Sequence, residues 1–285
     1  DQRPGEEDIQ ISKNAVSQLI GKFTLMPGLK YVFDFSKKDN DEIIFTFRFM
    51  EGEATNWAYD FVYPGTYFVN QVYSNKGVLM GDTLEAKNTG LYFQVFKFEL
   101  FEAYDAEDKR RDDTFLDFYL KDKEGNTTAK GLILRKAMGI INSSNNRIYI
   151  TDIPVYRYAE TLLLMAEVEN KIGNDPSPYI NEIRKRAYGD NYDSEIHEYK
   201  NQGFAPNELA ILKERDKEFV WEGKRWYDIC RMTDASGKAL VFSADGSYGT
   251  SWPVLNYETE AHKVMWPVDV NTLNNDPDLK QTPGY

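Results

Sequence analysis

The fold of this chain is decided by residues 212–228, which read LKERDKEFVWEGKRWYD. Helix-forming residues dominate this stretch, and the surrounding segment 207–231 predicts one long helix with Asn207 as its N-cap. Apolar residues at helical spacing form its expected core-facing stripe: Leu212, Phe219, Trp226 and Cys230. A helix of this length indicates a mainly helical protein.

Charged residues lie beside that stripe. On a helical wheel, four of them fall within about 80° of one another, in a sector that also holds isoleucines: Arg215, Glu218, Glu222 and Arg225. Charges in such a sector are expected to be partly buried and therefore paired. We expect Arg225 to compensate Glu222, and we interpret Arg225, Trp226 and Asp228 as determinants of the fold.

Two shorter helices are predicted before the long one. The first begins near Pro154 and ends at Gly173, with apolar residues at helical spacing between them. The second begins at Asp175-Pro176, an N-cap followed by proline, and ends at Gly189. Because the connection is short, the two are expected to form a helical hairpin.

The first half of the chain predicts less regular structure. A helix is expected over 9–22, and strands over 42–49 and 92–101, the former burying the face of Ile43, Phe45, Phe47 and Phe49. Several other stretches have no helical period: long loops at 50–90, a solvated charged turn at 107–113, short extended segments at 115–120 and 147–151, and an irregular tail at 232–285.

Composition excludes several classes of function. A formal net charge of −12 is a poor match for nucleic acid or anionic lipid. Cys230 is the sole cysteine in the sequence, so no intramolecular disulfide can form, and no apolar run approaches the length of a membrane span. The chain opens with Asp1 rather than Met, which predicts a processed or truncated piece of a longer protein.

No catalytic, metal or cofactor motif stands out. His197 and His262 lie far apart, and neither has a second ligand at metal-binding spacing. Glu218 and Glu222 could be taken for a glycosidase pair, but the neighbouring arginines would hold both carboxylates ionised, which does not suit a general acid. The sequence therefore offers no candidate catalytic residue, metal site or cofactor site.

Aromatic residues suggest where a ligand binds. They make up 14% of the chain, and several cluster at 57–73, where Trp57, Tyr59, Phe61 and Tyr63 repeat at every second residue. Flat rings beside polar groups suit sugar binding. The predicted carbohydrate-binding residues come from this loop and a second one: Asn56, Trp57, Tyr59, Tyr63, Tyr67, Tyr248 and Trp252. The alternative is a strand whose rings face the core.

The helical region resembles the SusD/RagB family of outer-membrane nutrient-binding lipoproteins. Three stretches carry the resemblance in this order: RYAETLLLMAE at 157–167, NEIRKRA at 181–187, and residues 212–228. Three further stretches agree with it: DEIIF at 41–45, WPV at 266–268 and the ending QTPGY at 281–285, in which Thr282 replaces the family's Asn. Trp266 is assigned to packing.

The resemblance implies a mainly α fold, in which TPR-like helical hairpins carry a loop-rich layer and a few short strands. It implies that residues 1–285 are a C-terminal family domain. Residues 1–150 would hold the end of a preceding helical part and the ligand-side loops, and 151–285 the family helices and tail. Family members are longer and begin with a lipoprotein signal and an anchoring cysteine, so the membrane would be reached only through that lipid anchor.

The resemblance also implies a function. Family members capture a nutrient, usually an oligosaccharide, at the outer-membrane surface and pass it to a SusC-like TonB-dependent transporter without catalysis. Two alternatives stay open for this chain. One is a RagB-like member that binds peptides, and the other is a helical scaffold without a small ligand.

Overall fold

The computed structural model of the protein describes residues 5–59, 70–80, 96–136, 138–248 and 251–285. In these residues helices predominate and strands are short. The helices are α1 Glu6–Ser17, α2 Leu29–Val32, α3 Phe98–Glu102, α4 Arg110–Thr114, α5 Tyr158–Lys171, α6 Ser177–Tyr188, α7 Ser194–His197, α8 Phe204–Glu218, α9 Arg225–Arg231, α10 Tyr257–Glu260 and α11 Val270–Asn275. The strands are β1 Ile43–Phe47, β2 Val72–Tyr73, β3 Phe115–Lys121, β4 Thr127–Leu134, β5 Ile140–Ile141, β6 Arg147–Ile148 and β7 Ile153–Arg157.

The predicted helical hairpin is α5 and α6, and α8 packs against it. Gly173 has φ +82° after α5, which glycine adopts without strain, and the Asp175 side chain accepts a hydrogen bond from the Ser177 amide at 2.9 Å. Leu162 and Ile183 are fully buried where the two helices meet. The predicted mainly helical fold with helical hairpins and short strands is confirmed.

A second core lies against the antiparallel sheet β2–β3–β4. Phe115, Phe118 and Leu132 are buried there, and the apolar face of the sheet packs against Tyr104 and the turn after α8. The predicted extended segment at 115–120 is therefore confirmed as β3, whereas its partner β4 was not predicted. Alternation in β4 is hidden because its second half, residues 131–134, is buried at every position.

The two-stranded ribbon of β1 and β7 corrects two predictions. Phe45 and Phe47 are 52% and 59% exposed, so the face expected to be buried is the outer one. Pro154 lies within β7 instead of opening a helix, because residues 153–157 pair with β1, and α5 begins only at Tyr158. Pairing with a distant strand here overrides the local helical pattern.

Three more local predictions are corrected. The first helix ends at Ser17 and does not reach residue 22. Residues 98–102 form α3 and not a strand, while 91–95 lie outside the described residues. The run 107–113 is no solvated turn, since Asp108 and Arg110 are each 1% exposed and pair with each other. The mixed charge of the run alone does not reveal the distant partners that allow its burial. Among the described helices, none is both long and apolar enough to cross a bilayer.

Candidate functional site

The long predicted helix is broken into α8 and α9 by a turn at residues 219–224. Trp221 has φ +64° and Gly223 has φ +73°. Positive φ is rare for a bulky side chain and persists only where surrounding contacts enforce it. Those contacts are present: the Trp221 indole N–H donates to the carbonyl of Ala58 at 3.3 Å, and its ring meets the ring of Phe96 at 5.6 Å between centroids.

Two buried cations form hydrogen bonds with this turn. Lys136 Nζ donates to the carbonyl of Glu218 at 2.6 Å, to the carbonyl of Val220 at 3.2 Å and to the Glu222 carboxylate at 2.7 Å. Arg157 donates to both oxygens of Glu222 at 2.8 and 2.9 Å and to Glu218 Oε1 at 2.6 Å. The turn is therefore fixed at its main chain and at its charged side chains.

The charged residues of 212–228 that were predicted to be partly buried are paired as expected, but some of their partners differ from the predicted ones. Glu218 accepts from Arg157 and Arg186, and Arg110 lies 3.4 Å from its other oxygen. Although burial opposes ionisation, these arginines hold the pKa of Glu218 well below its usual range. Glu222 pairs with Arg157 and Lys136 rather than with Arg225, so the expected Arg225–Glu222 pair is wrong.

A cavity of about 490 Å³ opens on the other side of the turn. We call it the Tyr248 cavity, and it lies between residues 96–100, the turn with the start of α9, and Tyr248. Its aromatic lining consists of Phe96, Phe219, Trp221, Trp226 and Tyr248. A concave, mainly apolar space with a few convergent polar groups is the usual form of a small-ligand site.

Arg225 forms part of the cavity rim. Its Nη1 donates to the Asp216 carboxylate, its Nη2 donates to the carbonyl of Gly246 at 2.7 Å, and its guanidinium lies 4.7 Å from the centre of the Tyr248 ring. Burial raises the pKa of Asp216 to about 6 against the opposing effect of Arg225. Burial and the nearby Asp216 also raise the pKa of the Tyr248 hydroxyl.

The residues predicted to bind carbohydrate occupy different environments. Tyr248 lines the cavity, and the exposed Trp252, at 72%, lies in the same loop, where its carbonyl accepts from Ser247 Oγ. Trp57 is also 72% exposed and directly precedes Ala58, to which Trp221 is bonded.

Asn56 and Tyr59 do not share the exposed face of Trp57. They are 8% and 5% exposed, because Asn56 pairs with the main chain of Tyr149 and the Tyr59 ring packs on the Tyr149 ring at 5.8 Å. Residues 58–59 form a turn, so within the described part of this loop Trp57 and Tyr59 lack the extended geometry that would align their rings. Tyr63, Tyr67 and Phe61 lie outside the described residues.

Trp266 is not a packing residue, since it is 79% exposed. The C-terminal residues fold back beside it through their polar groups, with Thr282 Oγ1 donating to the Trp266 carbonyl at 2.9 Å and the Tyr285 hydroxyl donating to the Met265 carbonyl at 3.1 Å. The main chain of Trp266 thus accepts a hydrogen bond, whereas its ring is exposed to solvent.

Sequence reasoning missed several cavity residues. Lys97 and Trp221 were not proposed, and Arg225 was assigned to the fold alone. Each reaches the cavity through a tertiary contact, so the only local signal was the charged and aromatic character of residues 212–228. In the described part of the chain, no group of acidic, histidine and cysteine side chains has the arrangement of a metal site.

Comparison with known proteins defines the class. The model of the SusD family matches residues 36–285, so the chain belongs to the SusD family.

Individual relatives agree with this assignment. A SusD superfamily protein of Bacteroides fragilis superposes with a TM-score of 0.90 at 38% identity, over 99% of this chain and 61% of that protein. The B. fragilis protein NanU superposes with a TM-score of 0.79 at 30% identity, over 99% of this chain and 59% of that one. The starch-binding protein SusD of Bacteroides thetaiotaomicron is 29% identical over 135 residues, which are 47% of this chain and 22% of that protein. The chain thus spans about three fifths of the two solved structures.

Proposed function

We propose that this chain binds an oligosaccharide at the Tyr248 cavity, as part of a non-catalytic protein for nutrient capture. The observation that carries the proposal is the aromatic lining of that cavity, with polar side chains at its rim. Membership of a family that includes a starch-binding protein supports the same ligand class.

The proposed binding surface extends from the cavity to Trp57 and Trp252. Exposed indole rings suit the flat C–H faces of sugars. Trp57 precedes Ala58, whose carbonyl accepts a hydrogen bond from the cavity residue Trp221, and the Trp252 carbonyl accepts one from Ser247, the neighbour of Tyr248. Tyr63 and Tyr67 remain predicted contributors, whereas the buried Tyr59 and Asn56 would support the loop from within.

The test is a binding screen followed by matched tryptophan substitutions. The chain is screened by calorimetry against oligosaccharides and a peptide pool, and Trp57→Ala and Trp252→Ala are then measured on the ligand found. Each should weaken binding by about 1–3 kcal/mol, by analogy with base–aromatic stacking, without lowering the melting temperature.

Trp266→Ala is the matched control, because Trp266 is equally exposed but belongs to the C-terminal tail. Saturable binding of peptides alone would favour the peptide-binding alternative. Saturable binding of neither class would favour the scaffold alternative.

We further propose the partner and location that the family resemblance implies. The longer protein would be lipid-anchored at the outer-membrane surface and would pass its ligand to a SusC-like TonB-dependent transporter. Co-purification of the two proteins from outer membranes tests this proposal, and recovery of the protein as a free periplasmic monomer would contradict it.

A further inference from the structure

The lining of the Tyr248 cavity carries more cations than anions. Its cationic residues are Lys97, Arg215, Lys224 and Arg225, and its acidic residues are Asp216 and Asp228. The chain as a whole has a formal net charge of −12, so this local excess of positive charge runs against the overall composition.

Most of these cations already have a partner. Arg225 pairs with Asp216, Arg215 Nε lies 2.8 Å from Asp228, and Lys224 lies 2.8 Å from Glu160. Arg215 is still incompletely satisfied, since its buried Nη1 has no hydrogen-bond partner among the described residues. Its charge is balanced by Asp228 and by Glu160, which lies 3.7 Å from Nη2, so Arg215 offers the cavity a hydrogen-bond donor rather than a free charge.

Lys97 is the cation at the rim that is available to a ligand. Its side chain is exposed, its ammonium group donates to the Tyr248 carbonyl at 3.0 Å, and it forms no ion pair with an acidic residue in the described part of the chain. An ammonium group has three N–H donors, so two remain after this bond.

Lys97 and Arg225 both lie close to Tyr248. Lys97 contacts the main chain of Tyr248, and the Arg225 guanidinium lies 4.7 Å from the centre of its ring. An anionic group on a sugar held beside Tyr248 would meet the potential of both cations, with Lys97 as direct donor. The general repulsion that a chain of negative net charge exerts on an anion makes such a local cation necessary.

We propose that the Tyr248 cavity selects oligosaccharides that carry an anionic group, a carboxylate or a sulfate, and that Lys97 binds this group. This inference rests on the proposed function and narrows its ligand class.

The experiment measures the affinity of the chain for three oligosaccharide probes of similar length: an oligogalacturonate, a sulfated oligosaccharide and maltohexaose. We expect at least one anionic probe to bind about tenfold tighter than the neutral one, as a charge-assisted hydrogen bond allows. Its affinity should fall with added salt. The two anionic arms distinguish carboxylate from sulfate.

Two matched lysine variants then test the role of Lys97 in binding the anionic group. Lys97→Met should lower the affinity for the anionic probe much more than the affinity for maltohexaose, so that most of the preference is lost. Lys123→Met, at an exposed lysine in the β3–β4 turn, should change neither.

The possible negative results separate failure of this inference from failure of the proposed function. Equal binding of neutral and anionic probes, or an anionic preference that survives Lys97→Met, overturns this inference and leaves the proposed function standing. If none of the three probes binds saturably, this inference is overturned, and the proposed function is contradicted as well if the wider oligosaccharide screen also finds no ligand.

Discussion

Replacing Arg157 by methionine should destabilise the protein far more than the same change at Arg225. The Arg157 side chain is 1% exposed and binds Glu42 at 2.7 Å, Glu218 at 2.6 Å and Glu222 at 2.8 Å. Methionine preserves the apolar stem but leaves these buried carboxylates one cation short. Removing one partner from such a buried group costs about 3–5 kcal/mol.

Arg225 should behave differently because a third of its side chain is exposed and it compensates a single carboxylate. That carboxylate, Asp216, already takes up a proton readily, since its pKa is raised to about 6. Arg225→Met is therefore expected to cost about 1–2 kcal/mol, the value of a charged hydrogen bond reduced by solvent screening.

Urea unfolding followed by circular dichroism and by fluorescence measures both free energies, provided that the two probes give coincident transitions. A second substitution, Glu42→Gln, should recover part of the Arg157→Met loss, because it removes one uncompensated charge while its side-chain oxygen can still accept from the Met26 amide. Equal losses for Arg157→Met and Arg225→Met would refute this account of the network.

Three further predictions concern other residues. The pKa of Asp216 is about 6 in the fold against 3.8 ordinarily, so its contribution to stability is present below pH 3.8 and lost as the pH rises through 6. Over that range the free energy of unfolding of the parent should fall by about 3 kcal/mol relative to Asp216→Asn in pH-dependent urea melts, and a constant difference would contradict the burial of this group. Gly139→Ala should lower the melting temperature by several degrees, because φ is +66° and a Cβ atom would lie 2.1 Å from the carbonyl oxygen of Ile148; an unchanged melting temperature would count against this packing. Burial raises the pKa of Cys230 to about 11, so native protein at pH 8 should resist a thiol reagent that reacts at once in urea, and rapid native labelling would show that the thiol is accessible.

The elements predicted correctly are those whose signals are local. In α5 and α6 the apolar period, the Asp175–Ser177 hydrogen bond and the terminal glycines all agree, so neighbouring residues suffice to place the hairpin, although not the start of α5. The break between α8 and α9 could not be predicted in the same way. Trp221 takes a positive φ because Ala58 and Phe96 hold its ring, and both contacts come from distant parts of the chain.

Burial was the least predictable property. Phe45 and Phe47 alternate as in a half-buried strand, but among the described strands β1 pairs with β7 alone, and both rings of this ribbon are exposed. Asp108 and Arg110 were expected in solvent, although Glu214 and Glu218 on α8 provide the partners that allow their burial.

The candidate site was predicted only in part, because tertiary contacts also decide which of its residues are buried. Tyr248 was selected for its residue type and lines the cavity, whereas Tyr59 was selected by the same criterion and lies in the core. Residue type indicates what could bind a sugar, but the position of Lys97 beside Tyr248 depends on a contact between residues far apart in sequence.

The turn between α8 and α9 has two sides that should tolerate mutation very differently. Glu218 and Glu222 face the buried arginines, so almost any replacement there removes a charge that several others require. Lys97 and Tyr248 reach the opposite side from separate loops. New ligand preferences could therefore evolve by exchange of loop residues, while the turn that supports them stays the same.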